Sequence, residues 1–261
     1  VKEFSQSLQQ KVEEATSESH LPFLGRDAEI ATVRSALDDA LAGAGGVITI
    51  TGTTGMGKSR LAYEALAATS GEPQVVVVRA EPYGAASAYR VFRDPVRRML
   101  GLERDTPEAM GRALLATLGR VAPDLLPMAP LLADVVQVDV PSTREIDQLD
   151  LQFRPDRLAD AVVGLVARTM PGPLVLVAEE AHWADGASAR LLDRIAASTA
   201  GRPWAVVAVR RGQEGGFAPA AGARVTLEPL PADVMERLVI AATEATPLRP
   251  HEIRAVGANV D

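Results

Sequence analysis

The run Gly52-Thr53-Thr54-Gly55-Met56-Gly57-Lys58-Ser59 constrains this chain more than any other stretch, because it fits the spacing G-x-x-x-x-G-K-[ST]. Upstream, Gly46-Val47-Ile48-Thr49-Ile50 reads as a buried strand; downstream, Arg60-Leu61-Ala62-Tyr63-Glu64-Ala65-Leu66-Ala67-Ala68 reads as a helix. Strand, glycine-rich loop and helix in that order make a phosphate cradle. The glycines admit backbone conformations closed to other residues, successive N–H groups turn inward, and the helix aims its positive dipole end at the same point. A polyphosphate fits there. Lys58 would meet the β- and γ-phosphates and the Ser59 hydroxyl would ligate Mg²⁺, so the expected nucleotide contacts run from Gly52 to Arg60.

With 261 residues, 47% of them apolar and 23% charged, the chain can bury a sizeable core. A net charge of −7 argues against a broad nucleic-acid footprint, which needs clustered Lys and Arg. Without cysteines there are no disulfides, thiolate metal sites or cysteine nucleophiles. The three histidines, at 20, 182 and 251, are too scattered for a metal cluster. No apolar run approaches a membrane span and no signal peptide opens the chain, so the expected location is cytoplasmic, with no membrane partner. The first residue is Val rather than Met, which suggests a piece of something longer.

Further along, the strands read as short unbroken runs: Val47–Thr51, Gln74–Ala80, Leu174–Ala178, Trp204–Val209 and Arg224–Leu227. Continuous apolar strands are buried on both faces, which implies a parallel sheet covered by helices. Ahead of them, Asp27 reads as the cap of a helix with Ile30, Val33, Leu37 and Leu41 on one face, stopped by Gly43. Residues 84–171 carry helix signals at Thr106-Pro107-Glu108 and Pro155-Asp156 with prolines between them, and read as a helical elaboration of the sheet. Arg93, Arg97 and Arg98 within it read as a solvated helix face. The expected fold is thus the α/β, three-layer α/β/α architecture of P-loop NTPases, with a mostly parallel five-stranded sheet and a helical insertion between the second and third strands.

In Val175-Leu176-Val177-Ala178-Glu179-Glu180, four apolar strand residues end in two acids. That places carboxylates at the C-terminal end of a strand, where open α/β sheets bind ligands. Beside a phosphate loop, Glu179 would hold Mg²⁺ and Glu180 would orient an attacking water. Asp185 reads as a helix cap, and His182 and Trp183 as packing residues.

Four segments taken together, Phe23-Leu24-Gly25-Arg26-Asp27-Ala28-Glu29, Gly52 to Leu61, Glu179-Glu180-Ala181-His182-Trp183-Ala184-Asp185 and Leu227-Glu228-Pro229-Leu230, resemble the STAND-type AAA-like ATPase module of bacterial multidomain regulators. Such modules follow class III nucleotide cyclase domains or sit beside LuxR-type DNA-binding domains. The similarity runs from about Leu21 to Leu238. It implies that Leu24, Gly25 and Arg26 lie against adenine, and that Arg210 or Arg211 serves as a sensor near the γ-phosphate. Val209 stands where the family commonly has a hydroxyl, and Glu180 where it usually has Asp. The family's winged helix, with its nucleotide-sensing proline, would begin just after Gly257-Ala258-Asn259.

These readings make residues 1–20 a connector, 21–231 the ATPase domain and 232–261 the start of a truncated helical lid. The expected catalytic residues are Lys58, Glu180, Arg210 and Arg211; the metal residues are Ser59 and Glu179; the cofactors are ATP or ADP with Mg²⁺. Slow ATP hydrolysis in a regulatory switch is the function that follows, with covalently linked signalling domains as partners and self-association on ATP binding. Two alternatives stay open: a nucleotide-holding module with negligible turnover, and a kinase whose lid would be the Arg93–Arg98 group.

Overall fold

A computed structural model describes residues 22–82, 87–102, 106–213 and 215–243. The connector assigned to 1–20 and most of the lid assigned to 232–261 lie outside the described residues.

The chain enters helix α1 (Asp27–Asp39), passes a wider turn (Ala40–Ala44) and runs into strand β1 (Gly46–Thr51), the phosphate loop and helix α2 (Lys58–Ala67). Strand β2 (Gln74–Arg79) follows. The insertion then holds α3 (Arg90–Met99), α4 (Pro107–Val121), α5 (Ala129–Val136), the short α6 (Arg144–Asp147) and α7 (Arg154–Thr169). Strand β3 (Leu174–Glu179), α8 (Gly186–Ala197), β4 (Trp204–Arg210), β5 (Ala223–Thr226) and α9 (Ala232–Ala242) complete the described part. No described helix is long and apolar enough to cross a membrane.

The five strands form one sheet in the order β2-β3-β4-β1-β5, and every pairing is parallel. Strand alternation divides its side chains between two layers. Val175, Val177, Val207 and Val209 pack with Val33 and Leu37 of α1 and Leu61, Ala65 and Leu66 of α2. Leu174, Leu176, Val206 and Ala208 face the other way, against Phe92 of α3, Leu132 of α5, Leu165 of α7 and Leu192 of α8. Both faces being covered, β3 and β4 are buried at every position, which is why they read as unbroken apolar runs.

Local signals set the helix ends. Thr106 Oγ1 accepts from the Ala109 N–H with Pro107 in the first turn of α4, and Asp185 Oδ1 accepts from the Ala187 and Ser188 N–H groups at the start of α8. Asp27 is not the cap of α1. The Arg26 carbonyl already accepts from the Ile30 N–H at 2.9 Å, so the ladder begins one residue earlier and Asp27 lies in the first turn, where its charge suits the dipole. Nor are the α3 arginines all solvated: Arg97 donates from Nε and Nη2 to the Val136 carbonyl at 2.9 and 2.6 Å, tying α3 to the end of α5.

Candidate functional site

Leaving β1, the phosphate loop depends on backbone geometry that only glycine supplies cheaply. Gly55 and Gly57 have φ of 82° and 79°, and Gly57 caps α2 in a left-handed conformation. Gly52 (φ 152°) passes so close to the residue after β5 that an added Cβ would stand 3.0 Å from the Leu227 carbonyl oxygen. Lys58 is buried, and its Nζ donates to the Thr53 carbonyl at 2.7 Å, folding back across the loop. Burial lowers its pKa; Glu180 opposes that shift and Arg211 adds to it. Phe23 lies over this loop: its ring would be 3.6 Å from a Cβ at Gly57, and the Arg60 guanidinium stands 5.0 Å from the ring centroid.

At the end of β3 the two acids part company. Glu179 is 2% exposed. Its Oε1 accepts from the Tyr63 hydroxyl at 2.8 Å, and its Oε2 from the Arg79 guanidinium at 2.6 Å. Tyr63 sits on α2 one turn beyond Ser59, so Glu179 is anchored to the helix that carries the expected metal hydroxyl. Arg79 is the register partner of Glu179 on β2, and that carboxylate raises its pKa. The Tyr63 phenol is pushed up by burial first and by Glu179 second. Ser59 and Glu179 offer the oxygen donors that suit Mg²⁺, which in phosphate sites takes one or two protein ligands and fills the rest with phosphate and water. Among the described residues no group of three His, Cys, Asp or Glu side chains could hold a metal unaided.

Glu180, the next residue, leaves the strand in a left-handed conformation (φ 49°) with its side chain 38% exposed. Its Oε2 lies 3.4 Å from His182 Nε2 without a hydrogen bond between them. His182 Nδ1 accepts from the Arg211 backbone N–H at 3.3 Å, linking the acid turn to the end of β4. Burial lowers the His182 pKa; Glu180 opposes the shift, while Arg211, Arg210 and Lys58 reinforce it. His182 is therefore more than packing, being the residue between the acid turn and the arginines.

The arginine pair divides as the acids do. Arg210 is buried and, among the described residues, donates to backbone: to the Arg211 carbonyl at 3.1 Å, to the Phe217 carbonyl at 2.8 Å and to the Gln213 carbonyl. It holds the turn after β4 together. Arg211 is half-buried and lies within electrostatic reach of Lys58 and His182. Lys58, Glu180 and Arg211 thus come together, and Arg210 does not join them.

In the entry segment, Arg26 is buried and committed, donating to Glu29 Oε1 at 2.9 Å and to the Glu228 carbonyl at 2.5 Å. Gly25 (φ 69°) would bring a Cβ to 2.8 Å from Val234 of α9. Leu24, Gly25 and Arg26 therefore lie between α1 and the Glu228–Val234 segment, bordering the loop that Phe23 covers. Sequence reasoning assigned no site role to Phe23, Tyr63, Arg79 or His182. Tyr63 and Phe23 carried a signal, one as a polar-tipped residue on the loop helix and the other beside the entry motif; Arg79 was marked only by ending a strand in register with an acid.

The AAA ATPase domain family matches residues 22–207. No curated protein matches. Among solved structures, the chain is similar to a Signal Transduction ATPase with Numerous Domains protein with a tetratricopeptide repeat sensor from Pyrococcus horikoshii, at 14% identity and a TM-score of 0.42. It is also similar to Cdc6p from Pyrobaculum aerophilum, at 14% identity and a TM-score of 0.43. Each alignment covers 91% of this chain, which spans 28% of the first structure and 55% of the second. With the family match running from the entry segment through the phosphate loop and β3 into β4, the chain belongs to the AAA ATPase domain family.

Proposed function

We propose that the chain binds ATP with Mg²⁺, hydrolyses it slowly and acts as a STAND-type switch within a larger cytoplasmic signalling or transcription-regulating protein. The observation that carries this reading is the phosphate loop with left-handed Gly55 and Gly57 ahead of α2 and a buried Lys58 that feels the charges of Glu180 and Arg211. In this reading the loop amides from Gly55 to Ser59 and the Lys58 ammonium bind the phosphates, for which Lys58 exchanges the Thr53 carbonyl. Ser59 and Glu179 hold Mg²⁺, directly or through water. Bound Mg²⁺ neutralises charge on the phosphate oxygens. Glu180, whose carboxylate no hydrogen bond fixes among the described residues, orients the attacking water and accepts its proton. Arg211 rather than Arg210 stabilises charge at the γ-phosphate, because each of the three Arg210 nitrogens is already bonded to a carbonyl of the turn after β4. Leu24, Gly25 and Phe23 border the adenine. Linked signalling domains and nucleotide-dependent self-association belong to the same proposal.

A second reading, a switch that retains nucleotide with negligible turnover, draws on Glu180. Its carboxylate sits one methylene farther out than the family's usual Asp, and a misplacement of about 1 Å can cost about a hundredfold in rate.

The test is calorimetric. ADP or ATP with Mg²⁺ should bind and raise the melting temperature, and Lys58→Ala should weaken binding by about 1.5–3 kcal/mol, the cost of losing a hydrogen bond to a charged group. Wild-type affinity in Lys58→Ala would reject the assignment.

A further inference from the structure

The β2 edge of the sheet carries charge that the phosphate loop does not use. A cavity of about 460 Å³ opens between β2 and α3, and five arginines, Arg79, Arg90, Arg93, Arg97 and Arg98, line it against two acids, Glu81 and Asp94. In a chain of net charge −7 this is a local reversal of sign. Carboxylates pair with two of the five, Arg79 with Glu179 at 2.6 Å and Arg90 with Glu81 at 2.8 Å, and leave three without an acid partner among the described residues. Of those three, Arg97 donates to the Val136 carbonyl, and Arg98 Nε donates to the Asp94 carbonyl at 3.4 Å. Arg93 donates Nη2 to Ser87 Oγ at 3.0 Å, while its Nε is buried without a partner among the described residues. Guanidinium groups gathered this way repel, and burial makes the repulsion dearer. Arg93 shows both effects, its pKa lowered first by burial and then by Arg97 and Arg90.

The shape and lining narrow the ligand. The volume falls in the range of small-molecule sites. Among the described residues, the others that line it, Val77, Val91 and Pro95, offer no aromatic ring on which a base could stack. Guanidinium forks match phosphate oxygens two at a time.

We propose that this cavity is a second anion site, separate from the phosphate loop, that takes a phosphate-bearing small molecule with at least two negative charges. Arg79 connects it to the first site, since the same guanidinium lines the cavity and donates to Glu179 Oε2 at 2.6 Å. An anion in the cavity competes with Glu179 for Arg79 and so releases the acid toward Mg²⁺. That coupling rests on the ATPase reading, whereas the anion site does not.

The experiment is titration of inorganic pyrophosphate in metal-free buffer into the Lys58→Ala chain, whose phosphate loop is disabled. Saturable binding should persist and weaken at least tenfold when Arg93→Gln and Arg98→Gln are added. A chain carrying only those two arginine substitutions should bind ADP–Mg²⁺ within about twofold of the unaltered protein, which also reports that it folds. Should that pair lower the melting temperature, Arg98→Gln alone, at an exposed position, is expected to weaken pyrophosphate about threefold. Tetraglutamate is the counter-probe and should not compete. Absence of pyrophosphate binding to Lys58→Ala, indifference to both sets of arginine substitutions, or tighter binding of tetraglutamate would each overturn the proposal. Loss of ADP binding everywhere, with arginine-dependent pyrophosphate binding retained, would instead remove the ATPase reading and leave the anion site standing.

Discussion

Strands β3 and β4 lie side by side, and each ends in a doublet of one residue type, Glu179-Glu180 and Arg210-Arg211. In both, the first member is buried and its polar atoms are bonded within the protein, Glu179 to Tyr63 and Arg79, Arg210 to three carbonyls of the following turn. In both, the second member is half-exposed and turned toward the field of Lys58. One residue is built into the scaffold and its neighbour is left available. The reason is positional: the last strand residue still points into a covered layer, where an unpaired charge is costly, while the next has left the sheet. Identical residues therefore take unlike tasks from a single step along the chain.

The largest test of this division is kinetic. Glu180→Gln should lower single-turnover ATP hydrolysis by about 10²–10⁴-fold with ATP affinity nearly intact. Glu179→Gln should instead weaken Mg²⁺-dependent binding, and Glu180→Asp should raise turnover if the extra methylene misplaces the carboxylate. Equal behaviour of the two Gln variants would erase the distinction between the acids. The arginines are compared by denaturant midpoints. Arg210→Ala should cost about 3 kcal/mol by stranding carbonyls in the β4 turn, whereas Arg211→Ala should stay within about 0.5 kcal/mol and lose nucleotide-dependent activity. Reversed costs would exchange their roles.

Two smaller effects sharpen the picture. Tyr63→Phe removes one hydrogen bond to Glu179 and should lower stability by about 1.5 kcal/mol in urea unfolding. His182 supplies a pH dependence. Its folded pKa is below the ordinary value of about 6.5, so the unfolded chain takes up the proton first as pH falls. Its contribution is full above that ordinary value and is lost as pH drops from there through the folded pKa. His182→Gln should flatten the stability profile across that window, and an unchanged profile would show that His182 is not its source.

The sheet was legible because strands covered on both faces must be written as apolar runs, and β1, β3 and β4 are. The phosphate loop was legible because its glycines and Lys58 act through local backbone geometry. What escaped is what depends on distant pairing. Arg26 meets Glu228 across 202 positions, Tyr63 meets Glu179 across 116 and Arg79 meets Glu179 across 100. No spacing rule reaches so far. Arg97 was misread for a related reason: helical periodicity shows which residues share a face, and Arg98 of that face is exposed as expected, but not that Arg97 would be drawn to the carbonyl end of α5.

The strand order has a metric consequence. Because β4 lies between β1 and β3, the chain ends that deliver Lys58 and Glu180 are two interstrand steps apart, about 10 Å at roughly 4.8 Å per step. Adjacent strands would have let ammonium and carboxylate close on each other as an ion pair, and among the described residues no such pair forms. The intervening strand acts as a spacer gauge, holding opposite charges near enough to share a field and too far apart to cancel.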